Sequence, residues 1–103
     1  MDFTEMGARL GLEKEEFIEL VEIFVTSADE DIQKLRDAFA ENNIDAVKEA
    51  AHSLKGSSGN MGFQDISDSA ARIEQNARKG NIEGIEAALS FFEEEVRKIR
   101  SLL

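Results

Sequence analysis

The sequence contains no cysteine, proline, tryptophan or tyrosine, and only one histidine among its 103 residues. Without cysteine, disulfides, thiolate zinc sites and thiol catalysis are excluded. The side chains left to act as a nucleophile or base near neutral pH are one imidazole, carboxylates and lysines. The absence of proline agrees with long, uninterrupted helices.

Acidic residues outnumber basic ones by 22 to 12, and the formal net charge is −10. Phosphate backbones and anionic membrane surfaces repel such a chain, so we expect neither nucleic acid nor a membrane as its partner. No apolar run approaches the ~20 residues of a membrane span, and the N-terminus has neither the basic start nor the apolar stretch of a signal peptide. A hydrophobic content of 42% is too high for a disordered acidic tail. These features predict a single cytoplasmic domain over residues 1–103.

Apolar residues recur every three or four positions along almost the whole chain, which is the spacing of amphipathic helices. The first stripe is one long helix, or two helices that meet near Ser27. Asn43 and Asn81 stand where they can cap the second and the last helix, and Lys79-Gly80 is typical of the end of the third. The four stripes cover residues 17–39, 44–61, 63–77 and 82–103.

A short amphipathic helix precedes the four stripes. Asp2 and Glu5 have the spacing of a capping box, and Phe3, Met6 and Leu10 are expected to cover one end of the bundle. No strand alternation appears, and connections of two to four residues favour antiparallel neighbours. The predicted fold class is therefore all-α: an antiparallel up-down-up-down four-helix bundle with a short N-terminal capping helix.

The single histidine, His52, lies more than 90° around its predicted helix from the apolar stripe, so we expect it to face solvent. Lys48, Lys55, Gly56 and Gly59 share its surface, because they are three, four or seven residues away. A glycine inside a helix costs roughly 1 kcal/mol relative to alanine, so two beside one exposed histidine suggest that a partner approaches closely. Lys55 can place a positive charge near an anion carried on the ring.

Two plainer interpretations stay open on the residues alone. His52 could be an exposed residue without a function, or Gly56 could end the helix and leave residues 56–62 as a loop. Ser58 and Met61 continue the apolar stripe, which favours the helix. Acidic and basic residues balance between positions 44 and 62, so a phosphoryl group would meet less repulsion there than elsewhere.

A known family motif is similar to this segment. The run His52-Ser53-Leu54-Lys55-Gly56-Ser57-Ser58, followed by Gly59 and Gly62, closely resembles the histidine-containing phosphotransfer (HPt) domain. Residues 72–74 and 77–81 are similar to that family's next helix and turn, and the resemblance covers the whole chain in length and helix layout.

The resemblance implies a role for each matching residue. His52 would be phosphorylated on Nε2, Lys55 would stabilise the phosphoryl oxygens, and Gly56 and Gly59 would leave room for the partner. Lys48, Ser57, Ser58 and Gly62 would support the motif.

The resemblance also implies a contact from the following helix, where some members carry a glutamine or arginine on the histidine or its phosphate. The glutamine-equivalent position is Glu74, with Gln75 beside it and Arg78 one turn later. A carboxylate does not bind phosphate, so Arg78 is the remaining candidate for that contact.

The implied function is a phosphorelay carrier that is not itself an enzyme. It would accept a phosphoryl group on His52 from a receiver-domain aspartate or a kinase and pass it to another response-regulator receiver. The expected partners are receiver domains and a sensor histidine kinase, possibly a hybrid one. No intrinsic cofactor or metal site is expected, because the receiver would bring the Mg²⁺. We expect the chain to act as a monomer.

Other functions are less favoured by the sequence. A helical bundle that only docks on a receiver, without phosphorylation, is the main alternative, although His52 and Lys55 together argue against it. The phosphoacceptor region of a sensor kinase normally has an acidic residue, a basic residue and a proline after its histidine, whereas Ser53 follows here. The phosphotransfer module of a chemotaxis kinase is a closer relative, but the kinase domains that accompany such a module are missing from this sequence. A metal site or a hydrolase built on the carboxylates is less favoured still, because the acidic runs 29–31 and 93–95 are typical of solvated faces.

Overall fold

Five helices and no strand make up the chain in the computed structural model, which describes all 103 residues. This confirms the predicted all-α class. None of the helices combines the length and the apolar character that crossing a bilayer requires. The helices are α1 (Phe3–Arg9), α2 (Lys14–Ala40), α3 (Ile44–Met61), α4 (Gln64–Arg78) and α5 (Ile85–Ser101).

The four longer helices form an antiparallel bundle. Each of α2 to α5 packs against its neighbours in the chain, and α5 closes the bundle against α2. The closing pair is antiparallel, since Arg36 of α2 pairs with Glu93 of α5 while Asp29, two turns earlier, pairs with Arg100. The short connections make the other neighbours antiparallel too, and α1 packs on the N-terminal part of α2.

The helix ends follow local sequence rules. The Asn43 side chain accepts a hydrogen bond from the N–H of Ala46 at 3.1 Å and caps α3, as predicted. Asp2 caps α1 by accepting from the N–H groups of Thr4 and Glu5. Gly62 ends α3 with a φ of 85°, a left-handed conformation that glycine adopts without steric cost.

The structure settles one alternative that the sequence left open and differs from the sequence prediction in two details. The helix α2 runs unbroken through Ser27, so the first stripe is one helix of 27 residues. The prediction that Asn81 caps the last helix is wrong: Asn81 accepts from the N–H of Glu83 in the preceding turn, and α5 begins after Gly84. Leu10 lies beyond the end of α1 and is 46% exposed, so it covers the bundle less than Phe3, which is buried.

The core is one continuous cluster of 24 buried apolar residues to which all five helices contribute. Phe17 and Phe92 are its largest fully buried side chains. The ring of Phe24 on α2 packs against the ring of Phe63, which lies in the connection from α3 to α4, and the ring centroids are 5.0 Å apart. Because α3 is held between α2 and α4, its remaining face has a fixed exposure to solvent.

Candidate functional site around His52

His52 lies in the middle of α3 and points away from the core. Its side chain is 66% exposed, which confirms the outward orientation expected from the helical spacing. The helix continues through Gly56 and Gly59 to Met61, so the loop interpretation of residues 56–62 is wrong. Buried Ser58 and Met61 hold this second half of α3 on the core.

The Glu74 carboxylate of α4 is the centre of the polar contacts around His52. One of its oxygens lies 2.7 Å from Nδ1 of His52 and accepts a second hydrogen bond from Arg78 at 3.1 Å. The other oxygen accepts from the ammonium of Lys55 at 2.7 Å. The side chain of Glu74 is only 4% exposed, whereas its three partners lie at the surface. The network therefore ties α3 to α4 through one buried acceptor.

These contacts keep Glu74 ionised. The hydrogen bond from Lys55 is the main cause that lowers the pKa of Glu74 from 4.5 to about 2, and the bonds from Arg78 and His52 act in the same direction. Burial opposes them but does not prevail. Glu74 is thus a carboxylate at any pH at which the protein is expected to work.

An ionised carboxylate only accepts hydrogen bonds, and this fixes the roles of the two ring nitrogens. The proton of a neutral His52 belongs on Nδ1, between the ring and Glu74. Nε2 then carries the free lone pair on the far side of the ring. The arrangement presents an exposed nitrogen nucleophile whose orientation is set by a buried partner.

A shallow depression of about 380 Å³ adjoins the imidazole. It is lined by Lys48, Glu49, His52, Glu74 and Arg78. Lys55, which by the resemblance would stabilise the phosphoryl oxygens, is not among these residues, and its ammonium donates to Glu74. Lys48 pairs only loosely with Asp45, at 3.7 Å.

The two glycines near His52 have different surroundings. A Cβ built on Gly56 meets no atom within 4 Å, so the space over this residue is open. A Cβ on Gly59 would lie 3.1 Å from the hydroxyl oxygen of Ser67 on α4. Gly59 therefore has a reason within the fold to lack a side chain, namely the close approach of α4.

The serines of the motif make contacts inside the bundle. Ser58 is buried and donates to the carbonyl of Leu54 at 2.6 Å, and Ser57 donates to the same carbonyl at 3.3 Å. Ser53 donates to the carboxylate of Asp31 on α2 at 2.8 Å. Burial raises the pKa of Asp31 against the opposing effect of that hydrogen bond. His52 is thus flanked by polar contacts to both neighbouring helices.

Sequence reasoning missed the role of Glu74. The sequence prediction sets Glu74 aside because a carboxylate does not bind phosphate, and it does not include a hydrogen bond between this carboxylate and the imidazole. One signal was available: Glu74 directly follows the apolar position Ile73 and has Arg78 one turn on, where a cation can hold a carboxylate at the edge of a buried face. Gln75 is exposed and makes no contact in the network.

Comparison with known proteins places these features in a family. The model of the Hpt domain matches residues 19–102, which include every residue of the network and the glycines beside it. The phosphorelay intermediate protein YPD1 of Candida albicans is 30% identical over 67 residues, which are 65% of this chain and 36% of that protein. The chain thus spans about a third of this curated relative. No solved structure matches the chain.

Proposed function

The chain belongs to the Hpt domain family, and from this we propose that it is a phosphotransfer carrier in two-component signalling with His52 as its phosphoacceptor. The observation that carries the proposal is the bond between Nδ1 of His52 and Glu74, on a helix face that Gly56 leaves open. It leaves Nε2 unprotonated and exposed. Family membership and the relative named as a phosphorelay intermediate favour this role over a bundle that only docks.

The transfer step follows from this geometry. The lone pair of Nε2 attacks the phosphorus of an aspartyl phosphate, the bond from phosphorus to the aspartyl oxygen breaks, and the aspartate leaves as a carboxylate. Transfer onward is the reverse, with an acceptor carboxylate attacking phosphorus and the electron pair returning to Nε2. His52 is thus both the nucleophile and the leaving group.

The partner supplies the rest of the chemistry in this proposal. Phosphoryl transfer needs positioning and neutralisation of charge, usually by Mg²⁺ held among carboxylates. We assign the Mg²⁺, the aspartate and the catalysis to a response-regulator receiver domain. The chain is accordingly a carrier and not an enzyme. We expect it to act in the cytoplasm, as a monomer, between receivers and a sensor kinase.

Access to His52 is the second requirement, and Gly56 meets it. The residue lies one turn from His52 on the same face, and the space over it is empty. A partner can therefore bring its phosphorylated aspartate up to Nε2 without displacing a side chain. Lys48 lines the adjoining depression and pairs only loosely with Asp45, so it is the cation most free to receive the oxygens of the phosphoryl group. Arg78 lines the same depression but, like Lys55, also donates to Glu74.

Acceptance of the phosphoryl group tests this proposal. The chain is mixed with each of a panel of phosphorylated receiver domains, and the label on it is tested for the acid-labile, base-stable behaviour of phosphohistidine. We expect label on the wild type and none on His52→Gln. Ser53→Ala is the matched control, since it alters the adjacent residue and should still take label. No label on the wild type across the panel, or equal label on His52→Gln, contradicts the proposal.

A further inference from the structure

We infer that Lys48 exchanges partners when His52 is phosphorylated: it pairs with Asp45 in the free protein and with the phosphoryl group in the phosphorylated one. The competition between these two anions for one ammonium group sets how strongly the chain holds the phosphoryl group. This inference rests on the proposed function and assigns a role in it to the pair of Asp45 and Lys48.

Lys48 stands between two sites for its ammonium group on one side of α3. Asp45 is three residues before it and His52 four residues after it, so the three side chains are neighbours on the helix surface. Helical side chains lean toward the N-terminus, which places the imidazole of His52 over the turn that carries Lys48. Lys48 and His52 also line the same depression of about 380 Å³. A phosphoryl group on the exposed edge of the ring is therefore a neighbour of this lysine.

The pairing of Lys48 with Asp45 is weak. The ammonium lies 3.7 Å from the Asp45 carboxylate, which is longer than a hydrogen bond, and the Asp45 side chain is 89% exposed. Exposed pairs of this kind contribute little, because water and salt screen them. A phosphoryl group carries more negative charge than a carboxylate and offers three acceptor oxygens. Lys48 is therefore expected to leave Asp45 when His52 is phosphorylated.

The other two cations near His52 are bound to Glu74. Lys55 lies 2.7 Å from this carboxylate and Arg78 lies 3.1 Å from it, and the Glu74 side chain is only 4% exposed. Moving either cation away would leave a buried carboxylate without one of its hydrogen-bond donors, which is costly. Both cations therefore stay on Glu74, and Lys48 takes the role that the resemblance gives to Lys55.

The equilibrium of phosphoryl transfer with a receiver domain measures this role. The phosphoryl group moves from Nε2 of His52 to the aspartate oxygen of the receiver, and the electron pair of the broken bond returns to Nε2. The equilibrium constant thus reports how well the chain stabilises phosphohistidine. We expect Lys48→Met to shift the equilibrium toward the receiver at least about fivefold, and Lys48→Arg to stay within about twofold of wild type.

Lys14→Met is the matched control for the loss of one positive charge. Lys14 is exposed at the start of α2, roughly 25 Å along that helix from Asp31, which contacts Ser53 beside the site. This separation exceeds the range over which charges act at physiological salt. We expect Lys14→Met to have the wild-type equilibrium.

Asp45 should give a change of the opposite sign. Asp45→Asn removes the competing anion, so we expect it to shift the equilibrium toward phosphohistidine by about two- to threefold. The same substitution made together with Lys48→Met should have no effect, because no ammonium group is left to compete for. Direct repulsion between Asp45 and the phosphoryl group would instead act with or without Lys48. The double mutant thus distinguishes an exchange of partners from a change in net charge.

Carbon-13 NMR of the Asp45 carboxylate gives a readout in the wild type itself. The protein is phosphorylated with phosphoramidate, a small donor that needs no docking surface. We expect the Asp45 signal to move in the wild type, because Lys48 leaves the carboxylate, and to stay unchanged in Lys48→Met. A lysine that only adds positive charge to this surface would remain on Asp45 and leave its signal in place.

The outcomes separate the two proposals. If the wild type takes no phosphoryl group at His52, the proposed function fails and this inference fails with it. The exchange of Lys48 is overturned, while the carrier function stands, if the wild type is phosphorylated and Lys48→Met has the wild-type equilibrium. The same conclusion follows if Asp45→Asn acts equally in both backgrounds, or if the Asp45 signal of the wild type does not move.

Discussion

The ammonium of Lys55 lies 2.7 Å from the carboxylate of Glu74, so the lysine of the phosphotransfer motif is bound within the protein before any phosphoryl group arrives. The same carboxylate holds Nδ1 of His52. Lys55 therefore acts on the histidine indirectly, by keeping Glu74 charged. This relationship yields the first two predictions.

Replacing Lys55 by methionine should destabilise the fold by about 1–2 kcal/mol at pH 7, because a buried carboxylate loses a charged hydrogen-bond donor. Replacing Lys48 by methionine should change the free energy of unfolding by less than about 0.5 kcal/mol, because its pairing with Asp45 is loose and exposed. Urea unfolding of the two variants measures both values. Equal effects from Lys55→Met and Lys48→Met would show that the Glu74 contact does not stabilise the protein.

Acid should remove the contribution of Glu74 to stability. Its pKa is about 2 in the folded protein, below the value of roughly 4.3 in an unfolded chain. A lowered folded pKa stabilises the protein above the unfolded value, and that stability is lost as the pH falls from about 5 to 2. The difference in unfolding free energy between wild type and Glu74→Gln should therefore shrink over this range. A difference that stays constant from pH 7 to pH 2 is the contrary result, and Glu49→Gln serves as the control.

Asp31 should behave in the opposite direction. Burial raises its pKa, so its ionised form, which is present at pH 7, reduces the stability of the fold. Asp31→Asn keeps an acceptor for the Ser53 hydroxyl and should make the protein more stable than wild type at pH 7. That advantage should disappear as the pH falls below about 4, where the aspartate is protonated in both states. Asp37→Asn, at an exposed position of the same helix, should show no such advantage in urea unfolding.

The two glycines beside His52 should respond differently to alanine. Gly56→Ala adds a methyl group to open space in a helix and should raise the free energy of unfolding by about 0.5–1 kcal/mol. Gly59→Ala should gain less or lose stability, because its Cβ would press on the Ser67 hydroxyl, which donates to the Lys55 carbonyl at 3.0 Å. Thermal unfolding of both variants measures the contrast, and a larger gain for Gly59→Ala than for Gly56→Ala contradicts this account of the α3–α4 contact.

Much of the fold follows from the apolar spacing, because burial of one stripe on each helix is what holds the bundle together. The spacing placed His52 outside the core correctly, and Asn43 identified the start of α3. The prediction was wrong at Asn81. A turn that ends at Gly84 follows this residue, so α5 begins at Ile85, about one turn after the apolar stripe begins. The stripe includes Ile82 because a residue in a turn can pack on the core as a helical one does.

The site was harder to predict because its central contact crosses between helices. The positions of Lys55 and Gly56 relative to His52 follow from one helix and are visible in the sequence. The approach of Glu74 depends on how α4 packs against α3, including the small Gly59 opposite Ser67. A single sequence gives the residue types on each helix but not this register. It also does not show that two cations surround the carboxylate and keep it charged.

The most direct test of the carrier function is a return transfer. The chain phosphorylated on His52 is purified, mixed with an unphosphorylated receiver domain and Mg²⁺, and the label on each protein is followed with time. We predict that label leaves His52 and appears on the aspartate of the receiver. We also predict that a phosphorylated receiver transfers its label back to His52. Phosphohistidine that is lost only to water, with no label on any receiver of the panel, would contradict the account.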